Sequence, residues 1–447
     1  NDHVNKYRQS AIATQRMTDF DRLVPDPLSN LTCGGLIAAN GLKPAGTEKG
    51  TFNGMPTRTA ALKTEKAVKL LNLTIALRME QDKDVETWER QLAASMTQSL
   101  SSEARDKEKS LKWWSEFWQR SHITINPDAG ESDTGWQVGR NYQLSRYQLA
   151  ANVNGHMPTL FNGGMFACNG NPDDRGWDYC YYIAQNMRLV YWPMLKAGDF
   201  DMMRSPFEYY RERSPMQRAF AKKWWGVDGI IFPEVIDPFG FDPTGIKDDG
   251  RSALPHIRYH YTHCMDFAWM ILKYAEYTES DIGSYMPFIE GIVSYYDNFY
   301  QKTYKAKSGK PLDKNGHLVI YPSDALETIN GVNNSITDIT GLTALAQGLL
   351  DLPSGYLTPE KRAYYKGFLK RIPPLTLKDR NGSKYLAPGK SCDPIVSGYN
   401  VEFPELYVCF PFDHFFLGRK GAGQENGIEL ASNTWDFGGL NTHMQKQ

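Results

Sequence analysis

The stretch Leu318–Thr328 places groups that can do acid–base chemistry at the end of a short apolar run. The run stops at Pro322 and is followed by Ser323, Asp324 and Glu327. A carboxyl group in such a position can be partly desolvated, which raises its pKa and keeps it protonated near neutral pH, as a general acid requires. If the chain is an enzyme, we expect Glu327 to be its proton donor. The same pattern is also typical of an ordinary helix start, with Ser323 or Asp324 as N-cap and Glu327 as a capping-box partner.

Composition excludes several classes of partner. The 447 residues carry a net charge of -1, so no overall field favours nucleic acid or a membrane surface. No apolar run approaches the length of a membrane span, and we expect no membrane insertion. The length predicts two or three domains, or one large barrel with an appendage. Aromatic residues make up 13% of the chain, and their flat apolar faces suit sugar rings as well as protein cores.

The sequence predicts neither a metal site nor a cofactor. The six cysteines have no CxxC spacing, which argues against a structural zinc site. His260 and His263 are three residues apart on a predicted helix, a spacing that suits a pair of metal ligands, but no acidic residue stands beside them in a ligand pattern. The chain begins at Asn1 with no basic or apolar leader, so we expect both ends to be cut.

The elements that must position these residues change character along the chain. Residues 1–84 are rich in turns around short strand-like pieces and predict β structure. Residues 85–121 carry apolar residues at helical spacing and predict one or two linker helices. From Trp136 onward, amphipathic segments alternate with long loops, as an α/α toroid requires; a fixed repeat, which would indicate a solenoid, is not found. The predicted helices are Tyr142–Asn152, Cys180–Ala197, Phe200–Lys223, Tyr261–Thr278, Asp281–Tyr304, Ile336–Leu350, Pro359–Leu369 and Pro404–Leu417.

Eight segments of the chain resemble glycoside hydrolase family 95, and they occur in the family's order. They are Phe117–Ile123, Gly139–Tyr147, Gly155–Gly163, Gly176–Tyr179, Tyr191–Pro193, Tyr321–Glu327, Asn400–Tyr407 and Phe410–Phe412, the last two being closer to a bacterial group of uncharacterised relatives. The resemblance implies an all-α catalytic domain, an (α/α)6 barrel, preceded by a β-sandwich remnant and a helical linker. The expected domains are 1–84 for the end of the sandwich, 85–121 for the linker and 122–447 for a barrel lacking its last helices.

The resemblance also implies roles for individual residues. Glu327 matches the family's general acid, and Asn186 matches the second asparagine of the pair that positions the nucleophilic water. The first asparagine of that pair is Ala184 here. An inverting glycosidase also needs a base on the opposite face of the sugar. That base is unassigned, and the candidates are Asp178, Glu402 and Glu405.

The expected function is hydrolysis of an α-linked glycan, such as an α-L-fucosyl or α-L-galactosyl group, with inversion. The substrate is an oligosaccharide or polysaccharide, and this substrate class predicts a secreted or periplasmic protein. There are two alternatives, because a fold does not determine its chemistry. The chain could be a barrel that binds carbohydrate without catalysis, or a phosphorylase or lyase on the same toroid. The residues expected to contact substrate are Trp177, Asp178, Asn162, His260, Asp266, Glu402 and Glu405.

Overall fold

The computed structural model divides into two compact units. The structure describes residues 2–39, 41–52, 55–153, 155–159, 182–390, 392, 403–418 and 427–437. The first unit contains residues 2–9 and 26–144, and the second contains residues 10–25 and 145–159 and the described residues from 182 onward. The boundary predicted at residue 121, between linker and barrel, therefore falls within the first unit.

Helices dominate the described residues. The α-helices are α1 (Asp2–Thr14), α2 (Val85–Arg120), α3 (Thr134–Asn152), α4 (Ala184–Ala197), α5 (Arg204–Trp225), α6 (Thr262–Thr278), α7 (Met286–Ser308), α8 (Ile336–Asp351), α9 (Pro359–Arg371) and α10 (Gly427–Phe437). The strands are β1 (Leu31–Ala39), β2 (Leu42–Phe52), β3 (Met55–Thr64), β4 (Leu73–Gln81), β5 (Tyr182–Ile183), β6 (Val235–Ile236), β7 (Ser323–Ala325), β8 (Ile329–Val332), β9 (Leu377–Arg380) and β10 (Ser383–Leu386). Short 3-10 helices include Pro255–Ile257 and Pro404–Val408.

The first unit combines two antiparallel strand pairs with one long helix. β1 pairs with β4 and β2 pairs with β3. α2 covers the β1–β4 pair, and Trp88, Leu92 and Met96 from the helix form a small core with Ala76. A Cβ on Gly34 would lie only 2.8 Å from the Trp88 ring, so this glycine permits the close approach of strand and helix. The helical structure predicted for 85–121 is confirmed, as one helix that begins where the Asp84 side chain accepts a hydrogen bond from the Thr87 N–H. Its role as a linker stays a prediction.

The second unit arranges its helices in two layers. α6 packs against α4 on one side and against α8 on the other, while α5 packs against α7. α6 also contacts α7, and α8 contacts α9. Alternate helices therefore share a layer, which is the order that an α/α toroid requires. The predicted class, an all-helical domain of this type preceded by β structure, is confirmed. The closed ring of six hairpins stays a prediction, because the described residues contain three successive helix pairs.

Two local predictions are wrong. Residues 2–14 form α1, although they were predicted as part of the β segment. Of the helix predicted at Pro404–Leu417, only Pro404–Val408 is helical, as a 3-10 helix. The alternative interpretation of Ser323 or Asp324 as a helix start does not hold, because this segment is a β-hairpin of β7 and β8. The next helix, α8, is capped by Ser335, whose hydroxyl accepts from the Asp338 N–H. Among the helices that the structure describes, none combines the length and the apolar character needed to cross a membrane.

Candidate functional site

Glu327 lies in the turn of the β7–β8 hairpin, and Asp324 ties that hairpin to the rest of the unit. The Asp324 carboxylate accepts hydrogen bonds from the Tyr259 N–H and the Gly331 N–H, both at 2.8 Å. Leu326 adopts a φ of 62°, which turns the chain just before the half-buried Glu327. Burial raises the pKa of Asp324 to about 6, although the two N–H groups act in the opposite direction. The Asp324 carboxylate thus holds the hairpin, with Glu327 in its turn, against the loop that leads into α6.

A cluster of two histidines and a glutamate lies at the beginning of α4 and α6. Glu234 precedes β6, and its carboxylate accepts a hydrogen bond of 2.7 Å from the Gln185 N–H in the first turn of α4. His260 lies just before α6 and His263 lies in its first turn. The Nδ1 atoms of His263 and His260 are 2.7 Å and 3.6 Å from Glu234 Oε2. All three side chains are buried, with at most 3% of each residue exposed.

Two groups of this cluster, Glu234 and His260, have strongly shifted pKa values. Burial by itself would raise the pKa of Glu234, but the His263 and His260 rings and the Gln185 N–H lower it to about 2. Burial lowers the pKa of His260 to about 4, and the negative charge of Glu234 only partly offsets this effect. Perturbed groups that converge in one place are a mark of functional sites, although ion pairs inside a fold can produce them as well.

Arg188 and Asp266 form a buried ion pair one helical turn further along α4 and α6. Arg188 Nη1 donates to Asp266 Oδ2 at 2.6 Å, and Arg188 Nη2 donates to the Tyr407 hydroxyl at 2.6 Å. The Trp192 Nε1–H donates to the other Asp266 oxygen at 2.6 Å. Burial acts to lower the pKa of Arg188, but the Tyr407 oxygen and the Asp266 carboxylate outweigh it and raise that pKa. This network fixes α4, α6 and the segment that contains Tyr407 relative to one another.

Glu405 is the second carboxyl group of interest, and it lies in the 3-10 helix Pro404–Val408. Only 1% of the residue is exposed, and its Oε2 atom has no hydrogen-bond partner among the described residues. Burial raises the pKa of Glu405 to about 7. The 3-10 helix packs against α8, where Val408 contacts Ile336 in a small apolar cluster. Because the β7–β8 hairpin leads directly into α8, Glu327 and Glu405 both belong to elements that adjoin the N-terminal half of this helix.

The structure brings several of the predicted residues to one end of the helix layer. Asn186 lies in the first turn of α4, beside the backbone that binds Glu234. His260 and Asp266 face other protein groups, in the cluster and in the Arg188 pair respectively. Trp177, Asp178, Asn162 and Glu402 lie outside the described residues, so their predicted roles stay predictions.

Sequence reasoning missed Glu234, Arg188 as the partner of Asp266, and the positions of Asp324 and Tyr407. Glu234 stands in Phe232-Pro233-Glu234-Val235, a pattern that shows no ligand spacing to any histidine. Its role depends on the pairing of β5 with β6, which are two residues each and lie more than 50 residues apart. Of these residues, only Arg188 could have been suggested by the sequence, because it lies two residues after Asn186 on the same predicted helix.

Comparisons with known proteins find one family match in sequence and a similarity in structure. Residues 1–123 match a family described as "Domain of unknown function (DUF5703)". A comparison with curated proteins finds no match. Among solved structures, the chain is similar to one described as "Putative kojibiose phosphorylase from human microbiome", with a TM-score of 0.48 and 14% sequence identity. This similarity covers 78% of the present chain and 45% of that chain, so the present chain corresponds to less than half of that protein.

Proposed function

We propose that this chain is a carbohydrate-active enzyme that cleaves an α-linked glycan with inversion, with Glu327 as the general acid. The observation that carries the proposal is that two carboxyl groups from distant parts of the chain belong to elements that pack against α8, Glu327 to the β7–β8 hairpin and Glu405 to the 3-10 helix. Glu327 is half-buried in a hairpin turn that Asp324 anchors, and its segment does not start a helix, which removes the capping role that its sequence also suggested. A positioned, partly desolvated carboxyl group is what proton donation to a leaving oxygen requires.

Glu405 is the candidate for the base in this reaction. Its pKa of about 7 means that a useful fraction of the group is ionised near neutral pH and that the ionised form is a stronger base than an ordinary carboxylate. The Oε2 atom without a partner can accept the proton of a water molecule. Asn186, at the start of α4, is the candidate for holding that water. The segment resemblance to glycoside hydrolase family 95 favours an α-L-fucosyl or α-L-galactosyl substrate, outside the cytoplasm.

The test uses aryl and natural α-glycosides and the variants Glu327→Gln and Glu405→Gln. Loss of the acid should reduce turnover of natural glycosides by about 10²–10⁴-fold. Glu327→Gln should keep most of its activity on an aryl glycoside with a highly acidic leaving group, because this leaving group needs no proton. Glu405→Gln should lose activity on both kinds of substrate. Proton NMR of the first product should show the inverted anomer.

Glu276→Gln is the matched control, because this glutamate is exposed on α6. The assignment of the acid is wrong if Glu327→Gln cleaves natural glycosides at the wild-type rate. Turnover that requires inorganic phosphate and yields a sugar phosphate would identify a phosphorylase instead. Binding of glycan with no product released would identify a carbohydrate-binding barrel.

A further inference from the structure

The cluster of Glu234, His260 and His263 contains more unsatisfied polar atoms than an ordinary buried ion pair. Glu234 Oε2, His260 Nδ1 and both ring nitrogens of His263 are buried and have no hydrogen-bond partner among the described residues. His263 Nδ1 and Glu234 Oε2 are 2.7 Å apart and interact directly, whereas His260 Nδ1 stands 3.6 Å from the same oxygen. Leaving a buried polar group without a partner costs about 1–3 kcal/mol, and native proteins rarely leave several in one place.

The spacing of these atoms suits a shared cation. One ligand atom from each residue lies within 4.8 Å of the other two. Tetrahedral ligands about 2.0–2.1 Å from a zinc ion lie roughly 3.3 Å from one another. The His263 and His260 Nδ1 atoms are 2.7 Å and 3.6 Å from Glu234 Oε2, on either side of that value. The His260 and His263 rings stand nearly perpendicular, at 87°, with centroids 5.8 Å apart, so they approach the shared point from different directions.

The ligand atoms are held by elements that leave them little freedom. Glu234 is fixed by its backbone carbonyl, which accepts from the Ala184 N–H, and by its Oε1 atom, which accepts from the Gln185 N–H. His263 is part of the first turn of α6, and the His260 N–H donates to the Ile257 carbonyl. The nearby positive charge of Arg188, which would repel a cation, is paired with Asp266. Rigid ligands and a neutralised surrounding are what a built metal site needs.

We propose that Glu234, His260 and His263 bind one divalent transition metal ion of the zinc type. Two imidazole nitrogens and one carboxylate oxygen are a donor set that Zn²⁺ and its first-row neighbours prefer, whereas Mg²⁺ and Ca²⁺ prefer oxygen ligands throughout. Three protein ligands leave a fourth position for another donor, as in zinc sites that are not purely structural. This proposal goes beyond the proposed glycan cleavage and does not depend on it.

The experiment measures metal bound to the whole chain, independently of any activity. Protein unfolded in chelator is refolded with one equivalent of Zn²⁺, desalted and analysed by mass spectrometry for metal. We expect one zinc ion per chain, and no displacement by a large excess of Mg²⁺ or Ca²⁺. The variants His260→Ala and His263→Ala should retain only background zinc. His317→Ala is the matched control, because this histidine lies 4.0 Å from the carboxylate of Asp313 in the same unit.

A second measurement on the wild-type chain guards against variants that do not fold. X-ray absorption of the zinc-loaded protein should show nitrogen and oxygen ligands at about 2.0–2.1 Å and no sulfur at about 2.3 Å. Replacement of zinc by Co²⁺ should give the visible absorption of a tetrahedral or five-coordinate ion. The proposal is overturned if the refolded wild-type chain retains no metal, or if a sulfur ligand is found. It is equally overturned if folded His260→Ala and His263→Ala both bind zinc as the wild type does, and the cluster is then an internal ion pair.

Discussion

At the scale of single residues, the buried pair of Arg188 and Asp266 should matter more to stability than any exposed ion pair. Asp266→Asn removes the charge while keeping the shape, and it deprives the buried Arg188 guanidinium of the carboxylate that it binds. Breaking one partner of such a pair typically costs about 3–5 kcal/mol. We therefore expect urea to unfold Asp266→Asn at a clearly lower concentration than the wild type, as measured by circular dichroism.

The exposed pair of Arg218 and Asp228 provides the control. Its two side chains are 43% and 59% exposed, and exposed pairs of this kind contribute little. Asp228→Asn should therefore unfold with the wild-type midpoint. A wild-type midpoint for Asp266→Asn as well would mean that the Arg188 charge finds another partner and that the pair is not a main support of α4 and α6.

At the scale of elements, two glycines allow the segment that leads to Glu234 to cross α7 in direct backbone contact. The Ile230 N–H donates to the Gly291 carbonyl at 2.8 Å. A Cβ on Gly229 would lie 2.3 Å from Tyr295 Cα, and Gly229 has a φ of 154°. We expect Gly229→Ala to lower the free energy of unfolding by about 3 kcal/mol or more, because neither backbone can move aside in a packed interior.

Gly355→Ala is the matched control for this substitution, because the added methyl group would meet no atom within 4 Å. The melting temperature of Gly229→Ala should be many degrees lower than that of Gly355→Ala. Equal melting temperatures would show that the segment shifts away from α7 at little cost, and the close crossing would then not be what positions Glu234.

The hairpin of β7 and β8 shows why the sequence predicted some elements and not others. Pro322-Ser323-Asp324 with Glu327 fits a helix start as well as a hairpin, because both begin with a short polar side chain that accepts backbone N–H groups. The hairpin is favoured by a contact with Tyr259, 65 residues before Asp324 in the sequence, whose N–H donates to the Asp324 carboxylate. By contrast, α6 was predicted within one residue of its start because its apolar spacing is a local property.

The candidate site divides in the same way. Glu327 and Asn186 could be proposed because their sequence segments resemble a known family and occur in its order. Glu234 could not, because only the β5–β6 pairing brings it to His260 and His263. In the sequence, no acidic residue stands beside the two histidines in a ligand pattern, and this argued against a metal site. In the fold, Glu234 from an earlier segment lies beside the two histidines, so distance along the sequence did not indicate which residues are close in the structure.

At the scale of the whole molecule, buried carboxyl groups should make the chain less stable at neutral pH than at mildly acidic pH. Burial raises the pKa values of Asp237, Asp338 and Glu405 to about 7 and that of Asp324 to about 6. A carboxyl group with a raised pKa binds its proton more tightly in the folded state, so its stabilising contribution is complete below its ordinary pKa and is lost as the pH rises through the raised value. His260 and Glu234 oppose this trend, because a pKa lowered in the folded state makes the chain more stable as the pH rises.

Asp237 offers the sharpest test of this pH dependence. Its Oδ1 atom accepts from the Phe239 and Phe241 N–H groups, and only 1% of the residue is exposed. The Arg213 guanidinium and the Tyr209 hydroxyl are the charged and titratable groups beside it. Asp237→Asn keeps the acceptor oxygen and removes the ionisation, so the variant should be more stable than the wild type at pH 8, where Asp237 is charged. The gain should shrink or disappear at pH 5.

Urea unfolding at pH 5 and pH 8 measures both effects, with Asp228→Asn as the control for removing an exposed charge. The wild type should have the higher free energy of unfolding at pH 5, and Asp237→Asn should show a smaller difference between the two pH values. If the variant is less stable than the wild type at pH 8, the Asp237 carboxylate is stabilised by Arg213 and the backbone N–H groups more than burial penalises it. The loop between β6 and α6 would then contribute a fixed negative charge to the unit at neutral pH, because a carboxylate stabilised in this way stays ionised.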